Sequence, residues 1–342
     1  MSSDVVILFG GSSSERLVSV ASAQNVSSLL PDAALWFLSP TGAVHLASRE
    51  ALAAHQRPFE NEFTPATPAA FPSIDAALDA PGSKALVFLF ALHGGEGENG
   101  TLQARFEKRR LAYTGSDAAS SARAFDKAVT KSLLGAHGAR LAPADILEPA
   151  DAATLEPKLR ALFSRAPRWV LKPVADGSSV GLVHLKTLDE VPAAAKTLSG
   201  LGLRYLAEAF VTGRELTVGV VDEPGGPLAL PVSEVRLIPG GAFDYAGKYL
   251  GKGTEELTPA PITEAERHAA QALGVLAHTM VGCSGYSRTD MILTDVGPVF
   301  LEINTLPGLT KASFIPQQLA AAGKDLRAFL ERQLQLGRAR RG

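Results

Sequence analysis

The 342-residue chain has one cysteine, Cys283, and almost no charge imbalance: 33 basic against 35 acidic side chains, for a net charge of −2. A lone thiol excludes an internal disulfide and a multi-thiolate zinc site, and it suits a reducing compartment. The balanced charge gives no electrostatic reason to bind nucleic acid or an anionic membrane. The basic cluster at Arg338, Arg340 and Arg341 is explained equally well by a solvated terminus. Long apolar runs are missing too. Val5 to Phe9 is too short for a signal core and runs into Gly10-Gly11, and Ala85 to Leu92 falls far below the ~20 residues of a bilayer span. A soluble, cytoplasmic protein is expected. No G-x-x-x-x-G-K-[S/T] phosphate loop occurs, nor any internal repeat, heptad array or low-complexity tract.

What is present is an apolar fraction of 46% in a chain too long for one ordinary core, so two or three domains are expected. Val5 to Phe9 reads as a buried parallel strand, followed by a Gly-Ser turn and a helix from about Glu15 to Leu30. Residues 85–92 repeat the plan, with a helix from about Thr101 to Arg110. Serial strand–turn–helix units predict an open α/β domain with ligand groups at the carboxyl ends of its strands. Residues 40–82, rich in Ala and Pro, read as elaboration with little chemistry. Ser120 or Ser121 is the expected cap of a helix through about Gly138 that carries Lys127 and Lys131. Beyond a Pro-rich connection the texture changes to short strands and turns, before one or two closing helices over 312–336.

Arg288 to Leu293 and Pro298 to Asn304 flank a Thr-Asp-Val-Gly turn and read as an antiparallel hairpin. Period-two alternation puts Arg288 and Asp290 on one face, with Glu302 and Asn304 beside them if Asp290 pairs near Glu302. Val299, Leu301 and Ile303 would form the apolar face behind. Oxygen-only donors with phosphate nearby suit Mg²⁺ better than zinc. A solvated surface ion pair is the competing reading, since short motifs misfire. Thr305 to Thr310 follows, and Gly308 there can present an N–H to an oxyanion. Lys172 ends a strand before a loop, Asp176 to Gly181, rich in N–H and O–H donors. Glu208 to Val211 and Glu215 offer carboxylates on a strand edge, spaced for an adenine and ribose.

In combination these features are specific. Lys127, Lys172, Gly177-Ser-Ser-Val-Gly181, Glu208, Arg288-x-Asp290 and Glu302-x-Asn304 stand in an order that resembles the ATP-grasp superfamily. Gly10-Gly-Ser-Ser-Ser-Glu15-Arg-Leu-Val-Ser19, Leu92-His93-Gly-Gly-Glu-Gly-Glu98, Tyr113-Thr-Gly-Ser116, Asp244-Tyr-Ala-Gly-Lys248-Tyr249 and Glu302-Ile-Asn-Thr-Leu-Pro-Gly308 resemble the D-alanine–D-alanine ligase family over about residues 5 to 315.

The resemblance implies an ATP-grasp fold, α+β in its ATP-binding half, behind an N-terminal α/β domain with an open parallel sheet. The expected divisions are 1–122, a central ATP-grasp unit at 123–212, and a C-terminal unit at 213–342. It further implies ATP held by Lys127, Lys172, Ser179, Glu208, Phe210, Val211, Glu215 and Lys248. Two Mg²⁺ (or Mn²⁺) would lie on Asp290, Glu302 and Asn304. D-alanine would meet Glu15, His93 and Ser313. Catalysis would involve Glu15, Ser178 and Tyr249 as a lid-closing set, with Arg288 and Gly308 at the oxyanion, and a homodimer is implied. Tyr249, and a lid without histidine, favour D-alanine over D-lactate as second substrate.

For Glu15 and His93, an ordinary first-turn glutamate and a structural histidine are the plain alternatives. A dinucleotide site on Gly95-Glu-Gly97-Glu-Asn-Gly100 is opposed by Glu96 and Glu98, whose charge would repel a pyrophosphate. A ligase for another acid and a non-enzymatic ATP sensor are the remaining rivals.

Overall fold

The computed structural model describes residues 4–175, 181–237 and 253–340. Ser178, Ser179, Lys248, Tyr249 and most of the expected lid lie outside them.

Among the described residues the strands fall into three sheets, taken in chain order. The first holds β1 (Val5–Gly10), β2 (Ala34–Leu38), β3 (Val44–Leu46), β4 (Val87–Phe90) and β5 (Ala112–Tyr113), in spatial order β3-β2-β1-β4-β5. All its pairings are parallel except β2 with β3. Every residue of β1 and β4 is buried, as expected of strands covered on both faces. From β1 the chain moves outward one way to β2, and from β4 the other way to β5. The crevice between the carboxyl ends of β1 and β4 is therefore the switch point at which open α/β sheets bind ligands.

The helix Arg16–Leu29 leaves that switch point. Its buried serines brace the turn: Ser19 accepts the Gly10 N–H at 2.7 Å and donates to the Ala91 carbonyl at 2.6 Å. Gly10 has φ +96°, and a Cβ there would stand 2.4 Å from the Leu38 carbonyl, so this strand end admits only glycine.

The second sheet is antiparallel, ordered β6-β9-β7-β8, from β6 (Ala144–Leu147), β7 (Trp169–Pro173), β8 (Val183–Leu185) and β9 (Tyr205–Ala209). Glu208 thus lies on an interior strand, not on the expected edge. The third sheet is also antiparallel: β10 (Arg214–Glu223), β11 (Gly226–Ala229), β12 (Ser233–Leu237), β13 (Thr254–Leu257), β14 (Tyr286–Thr294) and β15 (Gly297–Asn304).

The hairpin β14–β15 has the expected register, with Asp290 opposite Glu302 and Arg288 opposite Asn304. Its apolar face differs. A bulge between Asp290 and Met291 sets Met291 against Phe300, so Leu301 is the extra residue and the alternation breaks. Phe300 and Ile303 enter the core, and Leu301 stays half-buried.

The expected single helix through Gly138 is two, Ala118–Phe125 and Lys127–Ala136. Asp117 and Asp126 cap them through the N–H groups of Ser120 and Val129, so the carboxylates cap where the serines were expected to. These helices contribute Ala124 and Leu134 to the core of the third sheet. The closing segment is also two helices, Phe314–Ala321 and Leu326–Ala339. They return to the first sheet and add Ile315, Leu319, Phe329, Leu330 and Leu334 to its core.

Candidate active site

One cleft joins the first sheet's switch point to the polar face of the hairpin. Glu15, His93 and Glu98 line it from one side, and Arg288, Asp290, Glu302, Asn304 and the 305–313 turn from the other. Lys127, Glu256 and Phe314 also line it, with Phe59, Ala124 and Phe125.

On the hairpin, Arg288 grips Asp290 with two parallel bonds, Nε to Oδ1 at 2.9 Å and a terminal nitrogen to Oδ2 at 2.7 Å. Such forked pairs fix orientation as well as charge. The Thr217 hydroxyl on β10 donates a third bond to Asp290, at 2.6 Å. Lys127 stands 3.5 Å from Glu302, and the Asn304 side-chain oxygen accepts the Leu306 N–H at 2.7 Å. Two cross-strand carboxylates and an amide oxygen on one surface form a hard-oxygen donor set, so these residues fit Mg²⁺. No group of three or more His, Cys, Asp or Glu suited to a metal occurs among the described residues, because the third oxygen here comes from asparagine.

Behind the hairpin lies a buried ion cluster. Glu208 bonds Lys131 through one carboxylate oxygen and Lys172, at 2.6 Å, through the other. Lys131 also donates to the Phe300 carbonyl at 3.0 Å and lies over the Phe300 ring. Burial alone would raise the Glu208 carboxyl, but Lys172 and Lys131 outweigh it and hold the group below its ordinary value. Burial pulls Lys131 down to about 8 against the attraction of Glu208, with Lys172 adding repulsion. Phe210 stands 40% exposed at the end of β9, its ring covered by the Arg168 guanidinium at 4.2 Å.

At the switch point Glu15 is buried, and a Cβ on Gly94 would lie 2.6 Å from its carboxylate, so the turns after β1 and β4 touch. Burial, reinforced by the Glu15 charge, pushes the Glu98 carboxyl up to about 8. Burial also holds His93 below its ordinary value, against the opposing pull of Glu15. Burial raises Glu256 as well. Ser313 caps the turn across the cleft: its hydroxyl accepts the Thr310 N–H at 3.2 Å and would lie 2.5 Å from a Cβ on Gly308.

The structure therefore brings Glu15, His93, Lys127, Arg288, Asp290, Glu302, Asn304, Gly308 and Ser313 to one cleft, with Lys172 and Glu208 in the adjoining cluster. Phe210, Val211 and Glu215 do not line that cleft. Sequence reasoning did not select Lys131, Glu98, Glu256 or Thr217. Lys131 could have been found, because it stands one helical turn beyond Lys127 on the same face. Thr217 could not, since only the β10–β14 register, which pairs it with Asp290, reveals it.

A parallel-sheet domain lending its strand ends to a carboxylate-bearing hairpin, with lysines between two antiparallel sheets, defines an ATP-grasp ligase. The chain belongs to the D-alanine–D-alanine ligase family: the family models described as D-ala D-ala ligase N-terminus and C-terminus match residues 4–116 and 164–335. The D-alanine–D-alanine ligase of Nitratidesulfovibrio vulgaris strain DP4 is 34% identical over 97% of both chains. That of Mycolicibacterium smegmatis is also 34% identical, over 94% of this chain and 91% of its own. Among solved structures, the D-alanine–D-alanine ligase of Coxiella burnetii superposes with a TM-score of 0.80 at 28% identity, covering 98% of this chain and 94% of that one. The VanG D-Ala:D-Ser ligase of Enterococcus faecalis gives 0.78 at 25% identity, over 97% and 98%.

Proposed function

We infer that the chain couples ATP to the joining of two D-alanine molecules, giving D-alanyl-D-alanine for peptidoglycan precursors. The observation that carries this reading is the single cleft in which Glu15 from the switch point faces Arg288, Asp290, Glu302 and Gly308. An ammonium-binding carboxylate and an oxyanion-binding wall on opposite sides suit an amino acid activated at its carboxylate.

In this reading the γ-phosphoryl group passes to the carboxylate of the first D-alanine, and ADP leaves. The amine of the second D-alanine attacks the acyl phosphate carbonyl, then phosphate and a proton depart. Glu15 orients the first substrate's ammonium, and Ser313 receives the second substrate's carboxylate. Arg288 and the Gly308 N–H stabilise the tetrahedral oxyanion, a charge that develops only in the transition state. Lys127 and Lys172 neutralise the phosphates, so Lys172 exchanges Glu208 for phosphate while Lys131 keeps Glu208 paired.

Glu208, Phe210 and Val211 frame the adenine and Glu215 the ribose. Ser179 and Lys248 cover the phosphates, and Ser178 and Tyr249 close on Glu15 to shield the acyl phosphate from water. Asp290, Glu302 and Asn304 would hold two Mg²⁺ or Mn²⁺ ions, which would supply charge neutralisation at the phosphates. The protein acts as a cytoplasmic homodimer. No helix among the described residues is long and apolar enough to cross a membrane.

Incubation with ATP, Mg²⁺ and D-alanine should yield the dipeptide by mass with one phosphate released per bond. Phosphate release only with a different acid would replace D-alanine as substrate. Offering D-lactate and D-serine as competing second substrates should leave D-alanyl-D-alanine the main product.

A further inference from the structure

His93 faces the cleft, yet both its ring nitrogens are spent on the protein. Nδ1 lies 2.9 Å from the Leu306 carbonyl, which can only accept, so Nδ1 carries the hydrogen. Nε2 lies 2.8 Å from the Ser22 hydroxyl. In the neutral ring that nitrogen is the acceptor, and Ser22 donates to it. The same Ser22 oxygen accepts the Leu309 N–H at 3.3 Å. One turn of helix on, the Asn25 side-chain amide donates to the Leu309 carbonyl at 2.7 Å. These bonds run from the first domain to residues 306 and 309, the two positions that bracket Pro307 and Gly308. On the hairpin side, Leu306 is held through its N–H by the Asn304 oxygen. The turn bearing Gly308 is thus held at both ends by His93, Ser22 and Asn25, and at Leu306 also by the hairpin.

We propose that His93 is a positioning residue: with Ser22 and Asn25 it clasps the 306–309 turn, setting where the Gly308 N–H points, and it does not itself hold D-alanine. The clasp rests on the reading of Gly308 as an oxyanion donor given above. Its chemical effect follows from the tight geometric tolerance of transition-state donors. A displacement of about 1 Å costs on the order of a hundredfold in rate while leaving ground-state binding little changed. Ser22 gives a clean test, because it is fully buried and does not line the cleft.

Ser22→Ala and His93→Ala should each lower kcat by roughly ten- to a hundredfold. KM for ATP and for D-alanine should stay within about threefold of wild type, and exchange of the Leu309 amide hydrogen should accelerate in both variants. A loss in His93→Ala carried mainly by a higher D-alanine KM would show direct substrate contact and overturn the proposal. So would a Ser22→Ala protein with unchanged kcat and unchanged Leu309 exchange. If the wild-type protein makes no dipeptide, the functional reading fails on its own, and Leu309 exchange in Ser22→Ala decides whether the clasp exists.

Discussion

The first and third sheets deliver chemistry to the same cleft by different means. The parallel sheet is buried on both faces, so its strands can offer nothing from their sides. Its functional groups, Glu15, His93 and Glu98, all sit in the turns after β1 and β4. The antiparallel hairpin has one covered face and one lining the cleft, and it offers Arg288, Asp290, Glu302 and Asn304 from within its strands. Substitutions inside the strands should therefore separate stability from activity in opposite ways in the two regions.

The largest effect is expected at Asp290→Asn, which keeps the side chain's shape on the face lining the cleft. Activity should fall by a factor on the order of 10² to 10³, as for loss of one charge-organising group, with the fold retained and the thermal midpoint lowered by loss of the forked bond from Arg288. Near-normal turnover would remove Asp290 from the chemistry. The counterpart in β1, Ile7→Ala, should cost about 2 to 5 kcal/mol of stability in denaturant titration, because Ile7 is fully buried. Its kcat, measured well below the midpoint, should stay close to wild type.

Glu98 sharpens the comparison through pH. Its carboxyl rises from 4.5 to about 8 on folding, so the folded state retains a proton that the unfolded state releases. The stability Glu98 contributes is complete below pH 4.5 and is lost as pH climbs to about 8. Glu98→Gln should melt near wild type at pH 5 and above it at pH 8 to 9, by at most several kcal/mol. A difference between the two proteins that is flat with pH would refute the assignment.

Gly94 tests the turn itself. Its φ of 62° and ψ of 175° lie in a region open essentially to glycine alone, and a Cβ would press on the Glu15 carboxylate. Gly94→Ala should lose about 1 to 3 kcal/mol and also raise the D-alanine KM. The smallest effect belongs to the bulge: Leu301→Ser, at the half-buried extra residue, should stay within about 0.5 kcal/mol by the same titration.

How much of this was legible beforehand follows from range. The strands β1 and β4, the glycine-rich turns after them and the Asp290–Glu302 pairing are local patterns of period two or of turn chemistry, and the sequence carries them openly. The bulge does not show, because it depends on how two strands settle against Phe300 and the helix Glu264–Val281. The cap is expected at Ser120 or Ser121 and found at Asp117 because serine and aspartate both cap helices, and only the fold decides between them. Pairs such as Lys131 with Glu208, or His93 with Leu306, join residues 77 and 213 positions apart, and no local spacing encodes them. The substrate-side residues were visible only as family motifs, since a buried glutamate after a strand has no periodic signature.

The helix Leu326–Ala339 closes the first sheet with Phe329, Leu330 and Leu334, and Gly337 approaches the Tyr113 carbonyl so closely that a Cβ would lie 2.8 Å away. On the ribosome, β1, β4 and β5 are therefore made more than 200 residues before the segment that covers them. At roughly 5 to 20 residues per second, their apolar side waits about 10 to 40 seconds for its partner. The core of the first sheet is therefore completed only when the last helix of the fold has been made.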